Sequence, residues 1–497
     1  MHEILERLHG FAPVFDGALI FSDRNREVTR SGLAANVFRS ATLLSELPDR
    51  LGLLSENSVD AAIFQLAGWA AGKVVVPLPW FFSEQQLGHI VQDAGLTHCI
   101  ASNALRPLAW KLELTAACTK VPAAALAEPK RGGGQIIYTS GSTGRPRGVR
   151  HGLDQITASA RLLAEASEAT KSDRYLSVLP LPLLLETICA ICVPVLTRAQ
   201  AHFDSEISER VGRGDPSLIA SAFATHQPTT AVMVPELLAV WTEQLGRSRQ
   251  RAPSSLRFVA VGGAPVSPAL SAAARGVGIP VFEGYGLSEC CSVVSVNTPK
   301  ARHAGTSGRP LAEVHISIED GEIVVEGPTV MDGYLNGSDV SGRWHTGDLG
   351  EIDADGYLTV HGRKDNLIVT SFGRNVSPEW VESMLHTDRR IAAAAIIGHG
   401  EPSLTAILVP TDAGSQWLEH APRAHVLLSL LTSCRDAPLY AVPSDFLVLT
   451  RKQIVEHGLM TANGRWRRDA LGKIVPELRA ERRHREQSIS QPKELIA

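Results

Sequence analysis

The stretch YTSGSTGRPRG, Tyr138 to Gly148, closes the short β-prone run Gln135 to Tyr138 and crowds hydroxyls and glycines into a few positions. Gly141, Gly144 and Gly148 permit positive φ and close backbone approach. Thr139, Ser140, Ser142 and Thr143 offer hydroxyl donors, and Arg145 and Arg147 add positive charge. That combination suits a polyphosphate guest. No Gly-Lys-Ser/Thr triplet follows, so the loop is not that of a P-loop kinase or switch NTPase. A Ser/Thr/Gly run by itself is commonly a surface loop, and the rest of the chain decides.

Outward from this loop the sequence alternates helix-like and strand-like segments. Residues 33–47 and 61–71 have helical apolar spacing, and 74–78 is an apolar β-prone run ended by Pro79. Ser83 caps a helix read over 81–92, and 97–101 gives the next strand. Further strands are expected at 175–179, 230–234 and 258–261, each followed by a Gly or Pro turn and a helix. Such alternation predicts parallel sheets with ligands at the strand C-termini. From Gly305 the texture changes to short strands and Asp-Gly turns (314–319, 321–326, 350–353 and 357–361), which reads as a small β-barrel-like subdomain. Ser377, Pro378 and Glu379 then start a helix in a new domain.

The length of 497 residues calls for more than one core. With 44% hydrophobic and 20% charged residues the chain is an ordinary globular protein. A net charge of −4 gives no field for nucleic acid or an acidic membrane. There is no charged-then-apolar leader and no bilayer-length apolar run, so a cytoplasmic location is expected, without membrane or nucleic-acid partners. Seven scattered cysteines fit a reducing compartment, and the Cys189/Cys192 pair inside an apolar run reads as packing.

Four further stretches carry chemistry. In GYGLSE (Gly284 to Glu289) the carboxylate of Glu289 suits Mg2+ and Ser288 can donate to phosphate. In WHTGDLG (Trp344 to Gly350) the acceptor-only Asp348, read as following two turn residues, suits a vicinal diol. GRKDN (Gly362 to Asn366) offers the Arg363 fork, and TANGRWRR (Thr461 to Arg468) is a glycine turn thick with cations. Taken singly, the first three read as a helix start, a hairpin turn and a charged linker. In this order, and with AGWAAGKVVVPL (67–78), VGGAPVS (261–267), GTSGRP (305–310) and SFGRNVSPEWVE (371–382), the chain resembles the AMP-forming adenylate ligases over nearly its whole length. That family comprises acyl- and aryl-CoA synthetases, stand-alone adenylation domains and luciferases.

The resemblance implies a large N-terminal α/β lobe over 1–362, a hinge at 363–365, a small mobile α+β domain over 366–480 and a basic tail over 481–497. It implies an acyl-adenylate made from an acid and ATP with Mg2+, then acyl transfer to the thiol of CoA or of phosphopantetheine on an acyl carrier protein. By analogy the 139–148 loop holds the β- and γ-phosphates and Glu289 holds Mg2+. Asp348 and Arg363 take the ribose, while Gly263, Ala264, Glu283, Gly284, Tyr285, Gly286 and Ser288 surround the nucleotide. Gly262, Gly286, Leu183 and Leu184 line the acyl pocket, Asp365 is the hinge, and Gly373 serves the thiol tunnel.

Two family lysines are arginine here. Arg147 keeps a cation beside the phosphates. Arg465 stands where the family's C-terminal lysine bridges the acyl carboxylate and α-phosphate, and its planar fork is not a compact ammonium. Lys473 is a poorer substitute because of Pro476 and its spacing. The stretch LPLPLLLETICA (179–190) places Leu183 where relatives carry histidine, so an apolar aliphatic or aryl acid is expected. If Glu186 faces the cavity, an amino-acid substrate returns. A carrier-loading adenylation enzyme and a non-catalytic nucleotide-binding relative are the rival readings.

Overall fold

A computed structural model describes residues 2–11, 16–118, 128–130, 132–139, 146–435, 437–460 and 466–490. Ser140, Gly141, Ser142, Thr143, Gly144 and Arg465 lie outside the described residues. The chain divides into two compact units. The first takes residues 1–346 and 351–359, the second residues 347–350 and 360–497.

The first unit is built on two large mixed sheets. One has nine strands in the order Arg309–Pro310, Ser292–Val296, Val281–Leu287, Phe258–Val261, Thr230–Met233, Arg174–Ser177, Gln200–Phe203, Leu19–Asp23 and Glu27–Thr29. Its middle is parallel and both edges turn antiparallel. The other has seven strands in the order Gly333–Tyr334, Arg147–Gly152, Gly134–Thr139, Val74–Pro77, Arg50–Leu54, His98–Ala101 and Thr115–Cys118. Here the run from Gly134–Thr139 to Thr115–Cys118 is parallel, and the two strands at the opposite edge are antiparallel. The expected parallel architecture therefore holds in the sheet centres, which are buried on both faces.

Local chemistry sets the element ends. Ser83 and Gln86 form both halves of a capping box on the helix Glu84–Ala94, satisfying two N-terminal amides that the helix cannot satisfy itself. The helix Val59–Ala70 has no polar face, and eleven of its residues are buried, because both of its sides are covered by protein. The strands His315–Glu319 and Glu322–Glu326 form the hairpin read from the Asp-Gly turn.

In the second unit a three-stranded sheet, Ile391–Ile397, Thr405–Pro410 and Asp445–Val448, separates two cores. Ala394, Ile396, Ala406 and Leu408 face Val381, Val426 and Leu430. The alternate residues Ala395, Ile407, Val409 and Leu447 face Leu471, Ile474 and Leu478. This is the two-residue period of a strand, with both faces apolar because helices cover both. Ser377 caps Pro378–Leu385 as read. The last helix, Arg468–Ser490, continues into the stretch read as a basic tail. Among the described residues no helix is long and apolar enough to cross a membrane.

Candidate functional site

The strands flanking the phosphate-loop motif pair antiparallel, with Thr139 opposite Arg147. Thr139 and Arg147 are thus held beside each other near one edge of the seven-stranded sheet. The next strand outward, Gly333–Tyr334, sets Tyr334 opposite Val149. From there the Tyr334 ring lies under the Arg147 guanidinium, whose carbon is 3.6 Å from the ring centre. The Tyr334 hydroxyl donates to Glu289 Oε1 at 2.7 Å, and Trp344 meets the same ring edge-on at 5.9 Å. One phenol therefore joins the loop's cation to the carboxylate expected to hold the metal. Sequence reading missed Tyr334. Its only signal is the glycine-flanked MDGYLN run, which has no chemistry until the sheet is assembled.

Glu289 is seated by its backbone as well. It lies in the 3₁₀ turn Ser288–Cys290, and its carbonyl accepts from Met331 N at 2.8 Å. The Ser288 carbonyl accepts from His151 Nε2 at 2.7 Å. Burial lowers the His151 pKa to about 4, so the ring is neutral and acts as a fixed donor strut. Thr139, Arg147, Ser288 and Glu289 are thereby brought together. Glu289 is a half-buried, oriented carboxylate, and such a hard oxygen donor fits Mg2+.

GYGLSE does not start a helix. Residues 281–287 are one strand that changes partner, parallel to Phe258–Val261 at its start and antiparallel to Ser292–Val296 at its end. Gly286 permits this, because a Cβ there would sit 1.8 Å from the Ser292 carbonyl oxygen. The parallel register sets Glu283 opposite Val261, and a Cβ on Gly262 would lie 3.0 Å from the Gly284 oxygen. Gly262, Gly263 and Ala264 thus leave the end of one strand beside Glu283, Gly284, Tyr285 and Gly286 on the next. These groups gather at strand C-termini, as expected. Burial raises the Glu283 pKa, opposed by Ser271 and by Arg302 and Arg275.

Leu183 is the N-cap of the short helix Leu184–Thr187, which packs on Ser292–Val296, the antiparallel partner of the GYGL segment. Leu184 is buried. The helix continues through a π turn, Ile188–Cys192, a geometry that widens one turn by a residue. Glu186 is fully buried, and Tyr175, near the start of its strand, donates to Oε2 at 2.9 Å. Burial pushes the Glu186 acid up to about 8. Its carboxyl is thus a neutral core group sealed against Tyr175, so it offers no charge to a substrate ammonium.

In the second unit Asp348 is buried and its Oδ1 lies 3.3 Å from Arg363 Nη1. Asp348 is not on a hairpin turn as the sequence suggested; Arg343–Ile352 is one continuous strand. Gly347 keeps φ at +72° within it, a left-handed kink that only glycine takes without strain. Asp365 is exposed in the 3₁₀ turn Lys364–Asn366, and Gly373 is exposed in the turn closed by its amide on Thr370. Arg468, also unforeseen, clamps this region. It is bidentate to Glu382 at 3.0 Å and reaches Glu379 at 3.1 Å, while Asn366 donates to Glu379 at 2.6 Å.

A family model described as AMP-binding enzyme matches residues 12–335. The chain belongs to the AMP-binding enzyme family. It is 29% identical over 390 residues to the 2-succinylbenzoate–CoA ligase of Enterococcus faecalis, covering 72% of this chain and 77% of that one. It superposes on the o-succinylbenzoate CoA synthetase of Bacillus subtilis, solved with the acyl-adenylate intermediate OSB-AMP. The TM-score is 0.76 at 25% identity, covering 95% of this chain and 98% of the other. The fold is also that of the anthranilate CoA ligase AuaEII, with a TM-score of 0.80 at 20% identity over 95% and 97% of the chains. This member of the family is an AMP-forming acid–thiol ligase of the acyl-CoA synthetase type.

Proposed function

We propose that the chain activates an apolar aliphatic or aryl carboxylic acid with Mg-ATP and transfers the acyl group to coenzyme A. A carboxylate oxygen attacks the α-phosphorus, and the α–β phosphoanhydride bond breaks, releasing pyrophosphate. The thiol sulfur then attacks the acyl carbon, the carbon–oxygen bond to AMP breaks, and the thiol proton passes to solvent. Thr139 and Arg147 anchor the polyphosphate at the end of their strands, and Tyr334 holds Glu289 in the orientation a cation needs. Mg2+ at Glu289 would neutralise phosphate charge. Asp348 and Arg363 take the ribose hydroxyls, and Gly262, Gly286, Leu183 and Leu184 border the acyl group. Asp365 is the pivot between half-reactions, Gly373 borders the thiol path, and Arg465 supplies the cation for adenylation.

The observation that carries the reading is the single chain of contacts from Arg147 through Tyr334 to Glu289. The apolar substrate class is supported by Leu183 and Leu184 and by the neutral, core-facing Glu186. A cytoplasmic location is supported by six cysteines that are free among the described residues. A pyrophosphate-release assay over aliphatic, aryl and amino acids tests the whole reading. AMP and pyrophosphate with apolar acids are expected, and ADP as sole nucleotide product, or turnover with amino acids alone, overturns it. Faster transfer to a phosphopantetheinyl carrier than to coenzyme A would replace the acceptor.

A further inference from the structure

Outside this site, three residues within 25 positions of one another converge at one end of the strand Gln200–Phe203. Ala201 and Phe203 point into the core, so the alternation puts His202 on the half-buried face. Asp204 follows as the N-cap of the helix Ser205–Gly212. His226 is the last residue of the helix Ile219–His226. One ligand atom from each of the three lies within 4.8 Å of the others, and the two imidazoles stack at 4.0 Å.

Two observations separate this cluster from an ordinary buried polar patch. His202 Nδ1 lies 2.9 Å from Ser22 Oγ, which fixes the ring. Its other nitrogen, Nε2, is buried without a hydrogen-bond partner among the described residues, although such a nitrogen normally finds one. A neutral imidazole whose far nitrogen is oriented by a hydroxyl is the usual arrangement of a metal-bound histidine. His226 Nε2 is 3.5 Å from Asp204 Oδ2. Arg24 approaches the other oxygen, Oδ1, also at 3.5 Å, and is itself held by Glu206 at 2.6 Å. Asp23 adds a further negative charge nearby.

We propose that His202, Asp204 and His226 bind one divalent transition-metal ion of the zinc class, pinning the helix Ile219–His226 to the strand Gln200–Phe203. Two imidazoles and a carboxylate select zinc, cobalt or nickel over magnesium, which prefers an all-oxygen shell. Ligand atoms around tetrahedral zinc stand about 3.3 Å apart. The ligand atoms must therefore approach by up to about 1.5 Å, and the His226 ring must turn out of its stack on His202 so that both in-plane lone pairs meet one ion, a movement open to His226, whose side chain is 26% exposed. Three protein ligands leave a fourth position for water.

The test uses the full chain without an affinity tag, stripped with chelator, and titrates Co2+ and then Zn2+ in the absence of nucleotide. One equivalent of Co2+ with a visible ligand-field band, displaced by Zn2+ and not by millimolar Mg2+, is expected. His226→Ala and His202→Ala should each weaken binding at least tenfold and abolish the rise in Tm that Zn2+ gives the native chain. His226→Ala should keep acid-dependent pyrophosphate release, which shows that it is folded. Binding unchanged in both variants, or no saturable Co2+ band, overturns the proposal and leaves a simple His–Asp pair.

Discussion

Replacing Tyr334 with Phe removes one oxygen and leaves the ring that Arg147 covers. The lost group is the 2.7 Å donor to Glu289 Oε1, a hydrogen bond to a charged acceptor in a half-buried setting. Such bonds contribute roughly 1.5–3 kcal/mol. Removing a group that orients a metal-binding side chain weakens metal affinity by about 10- to 100-fold, which corresponds to roughly 1.4–2.8 kcal/mol. Since only the orientation of Glu289 changes, the loss should fall on Mg2+ rather than on the acid. Pyrophosphate release measured against Mg2+ at fixed ATP should show a half-saturating Mg2+ concentration raised by that factor. The rate should return to near the native value at high Mg2+, and the KM for the acid should not move. Tyr334→Leu also removes the face under Arg147 and should raise the KM for ATP as well. A Phe variant with native or tighter Mg2+ dependence would refute the reasoning, because the hydroxyl would then be competing for Glu289 instead of presenting it.

Glu186→Gln tests the sealed acid. With the folded group near pH 8 and its ordinary value at 4.5, the unfolded chain releases the proton first, so native stability falls as pH rises between those values, by up to about 1.4 kcal/mol per unit. The Gln variant lacks this slope, and urea midpoints at pH 5.5 and 8 should draw apart in its favour; parallel curves would refute the assignment. Arg468→Ala strands Glu382, 9% exposed, without its partner and should cost the second unit about 3–5 kcal/mol. Hydrogen exchange in Ile391–Ile397 should report the loss, while native protection there would count against the clamp. Arg465→Lys should lower acyl-adenylate formation several-fold while leaving thiol transfer from a supplied acyl-adenylate intact, and a gain in adenylation would mark the native arginine as a defect.

Elements whose causes are local were legible in the sequence. The Ser83 and Ser377 caps, the apolar spacing of 61–71 and the Asp-Gly hairpin before Glu322 each stand within a few residues of what they determine. The family's motifs pointed to Thr139, Arg147 and Glu289, which the fold brings together, and to Asp348 and Arg363, which approach each other. Failures came where the cause lies far away. GYGLSE looks like a helix start until Ser292 presses against Gly286. The TGD motif looks like a turn, yet it is carried inside one long strand by a kink at Gly347. Tyr334 gains a role from partners 45 and 187 positions earlier in the chain. No local pattern announces His226 as a neighbour of His202, since the helices between them must fold first.

The widened turn at Ile188–Cys192 has a consequence for how this protein can change its diet. A π turn is an α-helix holding one surplus residue, and each residue turns a helix by about 100°. Deleting a single residue there lets an ordinary helix close while swinging Leu183 and Leu184 around the axis, with the strands behind them left in place. If Leu183 and Leu184 border the acyl group as proposed, that wall carries a spare notch, which a one-codon deletion re-indexes without repacking a core.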